Sequence, residues 1–528
     1  MVARPRNRPA VGASQQGFLQ VVVNPLDDLF QGRPGTKDTG HPHAEQLFHV
    51  LGGNDSSPED HDVAGVGGRQ QIKNGRKDRQ VRSRHHRQTY SVHILLDSGG
   101  HHLLRGLVEP GVDHLMPAVT QRPGYHLGAA IMTVQTCLGN QNASSHPPKG
   151  RATITINSMS VLPLHSLTLA GQSIWADQIS RAMLDSGELA RRVSQQHITG
   201  VTSNPSIFAG AITKSTDYDH EMVRMIGEGF DPDETYAALI TRDITDACDV
   251  LAPVHRHSNG ADGFVSVEVS PELAADTPAT VAEAREWVKR VSRPNLLVKV
   301  PATPEGIPAI RQLTREGISV NVTLIFSLHR YRKVMDAYLA GLEDYSAVGG
   351  DLRKVASVAS FFVSRVDTEV DRRLESDGSS GALALRGKAA IANARAAYGE
   401  FLSVFSGDRW DRLAAQGGRI QRPLWASTST KNPAYPDTLY VDTLVSPHTV
   451  NTLPLSTIEA YADHGSPRPS IFGPEEIARA RNLLAELEAA GVDYQDVVET
   501  LERQGVASFA KSFVELQDHI RAKYADLR

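Results

Sequence analysis

Cysteine is almost missing from this sequence: Cys137 and Cys248 are the only two, far apart and without a paired spacing. Neither a disulfide framework nor a thiolate metal site can be built from them, and a reducing cytoplasm is the natural setting. Long apolar runs are missing too. No stretch approaches the ~20 apolar residues of a spanning helix, and the amino terminus has no basic-then-apolar secretory pattern. A surplus of positive charge is equally absent. The 55 basic and 60 acidic residues leave a net charge of −5, so no long-range field draws the chain to nucleic acid or to an anionic membrane. A length of 528 residues exceeds one typical domain and implies two units, or one barrel with appendages.

Up to about Ser158 the composition is rich in His, Arg, Gln and Gly, with 12 of the 21 histidines and none of the four tryptophans. Such a segment buries little apolar surface, so we expect mostly disorder over 1–158. Stretches near 91–96 and 128–134 have strand character, but turn formers and charges interrupt them before a periodic face builds up. Acids scattered from Asp27 and Asp28 to Asp113 argue against a transit peptide. His41, His43 and His49, or His85, His86 and His93, invite a metal reading, yet no Cys or acidic pair stands at ligand spacing beside them. A solvated tail is favoured, and no metal is expected. Ordinary globular composition begins at Met159, which we read as the true start of the protein.

From Leu164 onward short apolar stretches alternate with amphipathic helical ones. We read strands over 174–177, 199–204, 263–269, 296–301, 319–325, 356–363, 423–427 and 438–444. Eight strands separated by helices is the count of a closed α/β barrel, the (β/α)8 architecture. A helix over 305–315 opens after Thr303-Pro304 and ends at Gly317. The Ala- and Leu-rich tail over 474–527 reads as helices wrapping the barrel.

Side chains of a strand alternate between faces, so parity sorts the polar residues. Ser266 and Glu268 share one face opposite Val265, Val267 and Val269; Lys299 stands opposite Val298 and Val300; Asn321 and Thr323 stand opposite Val320, Val322 and Leu324. The valine faces suit the outer helices, so the polar set points into the barrel. A buried Lys or Glu is tolerated only with a partner or a purpose. One reading is a structural Lys299–Glu268 ion pair. The other is catalysis, favoured because both residues lie late in their strands, where barrel active sites form. Burial and nearby positive charge favour a free amine, which attacks carbonyls. The imine chemistry that follows requires proton transfers, for which carboxylates such as Glu268 and Asp177 are suited.

Six motifs then fall in order, one per strand: Ile174-Trp-Ala-Asp177, Thr202-Ser-Asn-Pro-Ser206, Ser266-Val-Glu-Val269, Val298-Lys-Val-Pro-Ala-Thr-Pro-Glu-Gly306, Asn321-Val-Thr-Leu-Ile-Phe-Ser327 and Ser360-Phe-Phe-Val-Ser-Arg365. This succession resembles the transaldolases, and the runs ending at Pro433 and beginning at Tyr440 resemble their longer bacterial and plant-type branch. The resemblance implies a metal-free, cofactor-free TIM barrel of the class I aldolase type in the pentose phosphate pathway. It would move a dihydroxyacetone unit between sugar phosphates: fructose 6-phosphate or sedoheptulose 7-phosphate as donor, erythrose 4-phosphate or glyceraldehyde 3-phosphate as acceptor.

Carried over by position, Lys299 forms the Schiff base and Asp177 takes the proton of the C4 hydroxyl. Glu268, with Thr323, holds a proton-shuttling water. Asn204, Asn321 and Ser360 hydrogen-bond the retained three-carbon unit, and Arg365 binds phosphate. Many transaldolases place a second arginine soon after an Ala-Ser pair. Here Ala426-Ser427 is followed by Thr-Ser-Thr-Lys431, so Lys431 is the nearby cation, with Ser427 and the loop amides, or a plain surface lysine, as the other readings. Two matches have simpler explanations. Asn321-Val-Thr323 fits a glycosylation sequon but sits in an inward strand, and Thr202-Ser-Asn-Pro205 also reads as a strand-ending turn. The rival functions are a sugar-phosphate aldolase on the same barrel and a non-catalytic barrel scaffold.

Overall fold

The computed structural model describes residues 17–22, 49–51, 89–96, 130–137, 162–467 and 473–528. The chain divides into two compact units, Met1–Val161 and Leu162–Arg528.

In the first unit, β1 (Gly17–Val22), β2 (His49–Leu51), β3 (Thr89–Leu96) and β4 (Ala130–Cys137) form a sheet ordered β2-β1-β3-β4. Strands β3 and β4 contain most of the two stretches singled out above. They pair antiparallel from Thr89 opposite Cys137 to Leu96 opposite Ala130, so partner strands supply the ladder that neither stretch offers alone. The expectation of disorder over the rest of 1–158 falls outside the described residues, as do the side chains of its histidines.

The second unit is a closed parallel barrel. Its strands are β5 (Gln172–Ala176), β6 (Ile198–Val201), β7 (Phe264–Glu268), β8 (Leu296–Pro301), β9 (Val320–Ile325), β10 (Ser357–Phe362), β11 (Gln421–Ala426) and β12 (Thr449–Leu453). Each pairs with the next, and β12 closes on β5. The eighth strand is not the one read from sequence. Residues 439–443 are a short helix, Leu439–Thr443, with Tyr440 and Val441 buried, and the strand follows it at Thr449–Leu453. The apolar run Leu439-Tyr-Val441…Leu444-Val445 packs as a short helix and the residues just after it; the true strand carries Thr449, Asn451 and Thr452, whose polarity hid it.

Helix starts are written locally. The Asp276 side chain accepts from Ala279 N before the Thr277–Val291 helix, and Asp231 with Glu234 forms a full capping box on Pro232–His257. The helix after β8 spans Gly306–Arg315 as expected. A Cβ on Gly306 would lie 1.9 Å from the Pro301 carbonyl oxygen, so only glycine lets this helix start fold directly back over the end of β8. The tail forms two helices, Pro474–Ala489 and Tyr494–Leu527. No helix among the described residues is long and apolar enough to cross a membrane.

Candidate active site

Register brings the inward polar residues to one level. Glu268 lies opposite Lys299, and Lys299 opposite Asn321; one step on, Pro301 lies opposite Thr323. Glu268, Lys299, Asn321 and Thr323 therefore share the inner face of the barrel. The Lys299 and Glu268 side chains are 7 % and 5 % exposed, so the pair is almost wholly withdrawn from water. Its contacts are long: Lys299 Nζ donates to the Ser203 carbonyl at 3.2 Å and to Glu268 Oε2 at 3.4 Å. An ion pair built for stability closes to about 2.7–2.9 Å. Here the amine is tethered without being locked.

Burial pushes the Glu268 carboxyl up to about 7, against the pull of Lys299 and with a further push from Asp177. The acid is thus poised to hold or give a proton near neutrality. A hollow of about 10 Å³ beside it is walled by Asn204, Tyr236 and Phe513.

Asp177 follows β5 directly. Its Oδ1 accepts from Thr202 Oγ1 at 2.8 Å, and Thr202 Oγ1 lies 2.7 Å from Thr452 Oγ1, so the ends of β6 and β12 hold it in place. Asn321 is the hub of a belt: Nδ2 donates to Ser266 Oγ at 3.0 Å, and Oδ1 accepts from Ser360 Oγ at 2.7 Å. Asn321 is fully buried, which excludes the sequon reading. Thr323 Oγ1 is buried without a protein partner among the described residues. The Asn204 side chain caps the Pro205–Thr213 helix by accepting from Ile207 N at 3.1 Å, so the turn reading of that motif holds.

Two cations complete the mouth. Arg365, at the start of the Ser364–Asp377 helix, has its guanidinium 5.4 Å from the Phe362 ring centre and 6.0 Å from that of Phe509. No carboxylate among the described residues pairs with it, and burial disfavours its charge. Lys431 is an exposed rim residue whose Nζ donates to Ser429 Oγ at 2.8 Å. Lost solvation and the Arg365 charge push its ammonium downward while Asp177 pulls it back, which places Lys431 within the field of both. Ser427 and Leu324, at the ends of β11 and β9, have φ of +56° and +59°. Such backbone costs about 1–3 kcal/mol and is retained where function fixes it. The Ser427 hydroxyl lies 2.9 Å from that of Ser364. Beyond Lys431 the loop is pinned by Tyr435 to Asp371 at 2.6 Å and by Tyr440 to Asp367 at 2.8 Å. The cleft there, about 170 Å³, is lined by Asp367, Asp371 and Glu375 together with Arg372 and Lys431. Among the described residues no group of three His, Cys, Asp or Glu could hold a metal ion.

A buried lysine and a poised carboxyl thus stand together at the mouth of a (β/α)8 barrel, with Arg365 and Lys431 nearby. The sequence model of the transaldolase/fructose-6-phosphate aldolase family matches residues 174–520. A transaldolase of Saccharopolyspora erythraea is 53 % identical over 359 residues, covering 68 % of this chain and 96 % of that protein. Those of Mycolicibacterium smegmatis and Thermobifida fusca are each 52 % identical, over 67 % and 69 % of this chain and 95 % and 98 % of their own lengths. The chain belongs to the transaldolase/fructose-6-phosphate aldolase family. It is an enzyme, a transaldolase, and the reading as a non-catalytic scaffold is set aside.

Four residues packed around this cluster or beside its supports escaped sequence reasoning. Thr452 and Asn451, whose Oδ1 accepts from Thr428 at 2.9 Å, were lost with the misplaced strand; the alternation in Thr-Val-Asn-Thr-Leu is the signal that could have found them. Phe509 and Phe513 come from the last helix, where a stripe of buried residues every four positions shows an inward face but not what it covers.

Proposed function

We propose that Lys299 attacks the C2 ketone of fructose 6-phosphate to form the Schiff base through which this transaldolase transfers a dihydroxyacetone unit to erythrose 4-phosphate, giving sedoheptulose 7-phosphate. The single observation that carries the reading is the loosely held Lys299 amine, buried at register with Glu268. The amine is poorly solvated and aimed into the barrel, so it meets a carbonyl as a nucleophile. Glu268, poised near 7, exchanges protons during carbinolamine formation and imine hydrolysis. The unpaired Thr323 hydroxyl supports a water between them.

Asp177, fixed by Thr202, takes the C4 hydroxyl proton, and the C3–C4 bond breaks to release glyceraldehyde 3-phosphate while the electron pair stays on the lysine-bound unit as an enamine. Asn204, Asn321 and Ser360 hydrogen-bond that unit through donor and acceptor capacity left over from the belt and the cap. Arg365 grips the phosphate with Lys431 as a weaker point charge and Ser427 beside them. Sedoheptulose 7-phosphate and glyceraldehyde 3-phosphate serve the reverse direction. The place of the reaction is the cytoplasm, without a nucleic-acid or membrane partner.

Arg365→Ala tests the phosphate assignment. KM for fructose 6-phosphate is expected to rise by about 10- to 100-fold, with the smaller part of the loss in kcat, while the slow reaction of unphosphorylated fructose stays within about twofold. An equal loss on both donors would remove Arg365 from the phosphate site. We also propose that the catalytic unit is 159–528. A chain begun at Met159 is expected to keep full transfer activity, and peptides from before Met159 in the purified native protein would show that Met159 is not the start.

A further inference from the structure

The last helix, Tyr494–Leu527, lies across the mouth of the barrel. Arg373 pairs with its Asp496 at 2.6 Å and Arg330 with its Glu502 at 3.1 Å. At the other end Lys523 donates to the Ile212 and Ser215 carbonyls at 2.9 and 2.7 Å and pairs with Asp219, and the Tyr524 hydroxyl donates to the Phe230 carbonyl at 2.7 Å. Between these anchors the helix backbone approaches the strand ends closely: a Cβ on Gly505 would lie 3.0 Å from Leu324 Cδ2. One turn later comes Phe509. Its ring centre is 5.6 Å from Lys299 Nζ and 6.0 Å from the Arg365 guanidinium carbon. One turn further, Phe513 borders the hollow beside Glu268 and meets Tyr236 edge to face, with ring centres 6.0 Å apart. An aromatic residue that served only to dock the helix would face apolar strand ends, as Gly505 does. Phe509 instead spans the interval between the reacting amine and the phosphate cation.

We propose that Phe509 is the residue that decides between transfer and release. It forms a dry wall over the lysine-bound three-carbon unit, so that the enamine waits for an acceptor aldehyde. This rests on the Schiff-base reading of Lys299. After the C3–C4 bond breaks, the enamine has two fates. In transfer, its carbon forms a new bond to the aldehyde carbon of the acceptor, the aldehyde oxygen takes a proton, and water then adds across the C=N bond of the product imine to free sedoheptulose 7-phosphate and the amine. In release, the same carbon takes a proton, water adds across the resulting C=N bond, and free dihydroxyacetone leaves with the amine restored. Both fates end in hydrolysis of an imine, but only release needs a proton on the enamine carbon, and the Phe509 ring excludes from the face opposite the strands the water that would carry it.

The test uses the full chain with Phe509→Ala, Phe509→Leu and Phe509→Tyr, given fructose 6-phosphate with and without erythrose 4-phosphate. Free dihydroxyacetone and sedoheptulose 7-phosphate are measured side by side, and borohydride trapping on Lys299 is read in each variant. The expected result is a release-to-transfer ratio raised by about tenfold in Phe509→Ala, raised less in Phe509→Leu and near the parent value in Phe509→Tyr, with trapping retained throughout. A purely structural role would lower both products together. A ratio within twofold of the parent in the folded variants, with trapping intact, overturns the role of Phe509 and leaves the Schiff-base reading standing. If Phe509→Ala does not fold, the ratio in Phe509→Leu decides. Absence of trapping in the parent protein itself would overturn both.

Discussion

Replacing Lys299 with methionine is expected to lower transfer from fructose 6-phosphate by at least about 10⁴-fold, the scale on which enzymes fail when a covalent nucleophile is removed. Methionine keeps most of the aliphatic stem, so the packing between β7, β8 and β9 is little changed. Stability is expected to hold or rise. Removing one member of a buried pair normally strands the other charge, but Glu268 is already pushed up to about 7 by burial, and without Lys299 it is released from the pull that lowers it. It then simply stays protonated. The check is a coupled transfer assay beside a thermal melt of the same sample. A folded Lys299→Met protein within about tenfold of the parent rate would leave the lysine as a structural partner of Glu268.

Glu268→Gln is expected to lower kcat by about 10²- to 10⁴-fold, the usual contribution of a positioned acid or base, and to flatten the pH dependence of turnover near 7. Its effect on stability has the opposite sign. A carboxyl whose folded value lies above its ordinary 4.5 binds its proton more tightly in the folded protein. The stability this confers is fully present below about 4.5 and is lost as pH rises through about 7. The parent protein therefore gives up as much as about 3 kcal/mol of relative stability between pH 5 and pH 8, and glutamine does not. Urea titrations of both proteins at the two pH values measure the difference. A constant gap would mean that Glu268 is ionised in the folded state across the whole range.

The barrel was legible because physics repeats itself along it. Valines at alternate positions of β7, β8 and β9 marked the helix-facing side, and Glu268, Lys299 and Asn321 were conspicuous because charge in such a strand is costly. The eighth strand was not legible, for the same reason taken further. With Thr449 and Asn451 on the helix-facing side and inward Thr452 committed to Thr202, only Val450 and Leu453 remain apolar, while Leu439–Thr443 offers a greasier run that belongs to a helix. Asp177 was read as the polar end of its strand, and it stands one residue past the end of β5. The field that links Lys431 to Arg365 and Asp177 arises only when β5, β10 and β11 meet, 254 residues of sequence notwithstanding. Phe509 lies 210 residues beyond Lys299. Its helix reads as an ordinary amphipathic helix, and which neighbours the stripe covers is decided by the docking of both helix ends.

These features meet in the amine of Lys299, and the most direct test traps it. Full-length protein is incubated with fructose 6-phosphate, reduced with borohydride and mapped by peptide mass, because reduction fixes an imine and leaves a salt bridge untouched. A three-carbon adduct on Lys299 that diminishes when erythrose 4-phosphate is present is the expected result. A well-folded protein that yields no adduct, or carries it on another lysine, would contradict the assignment.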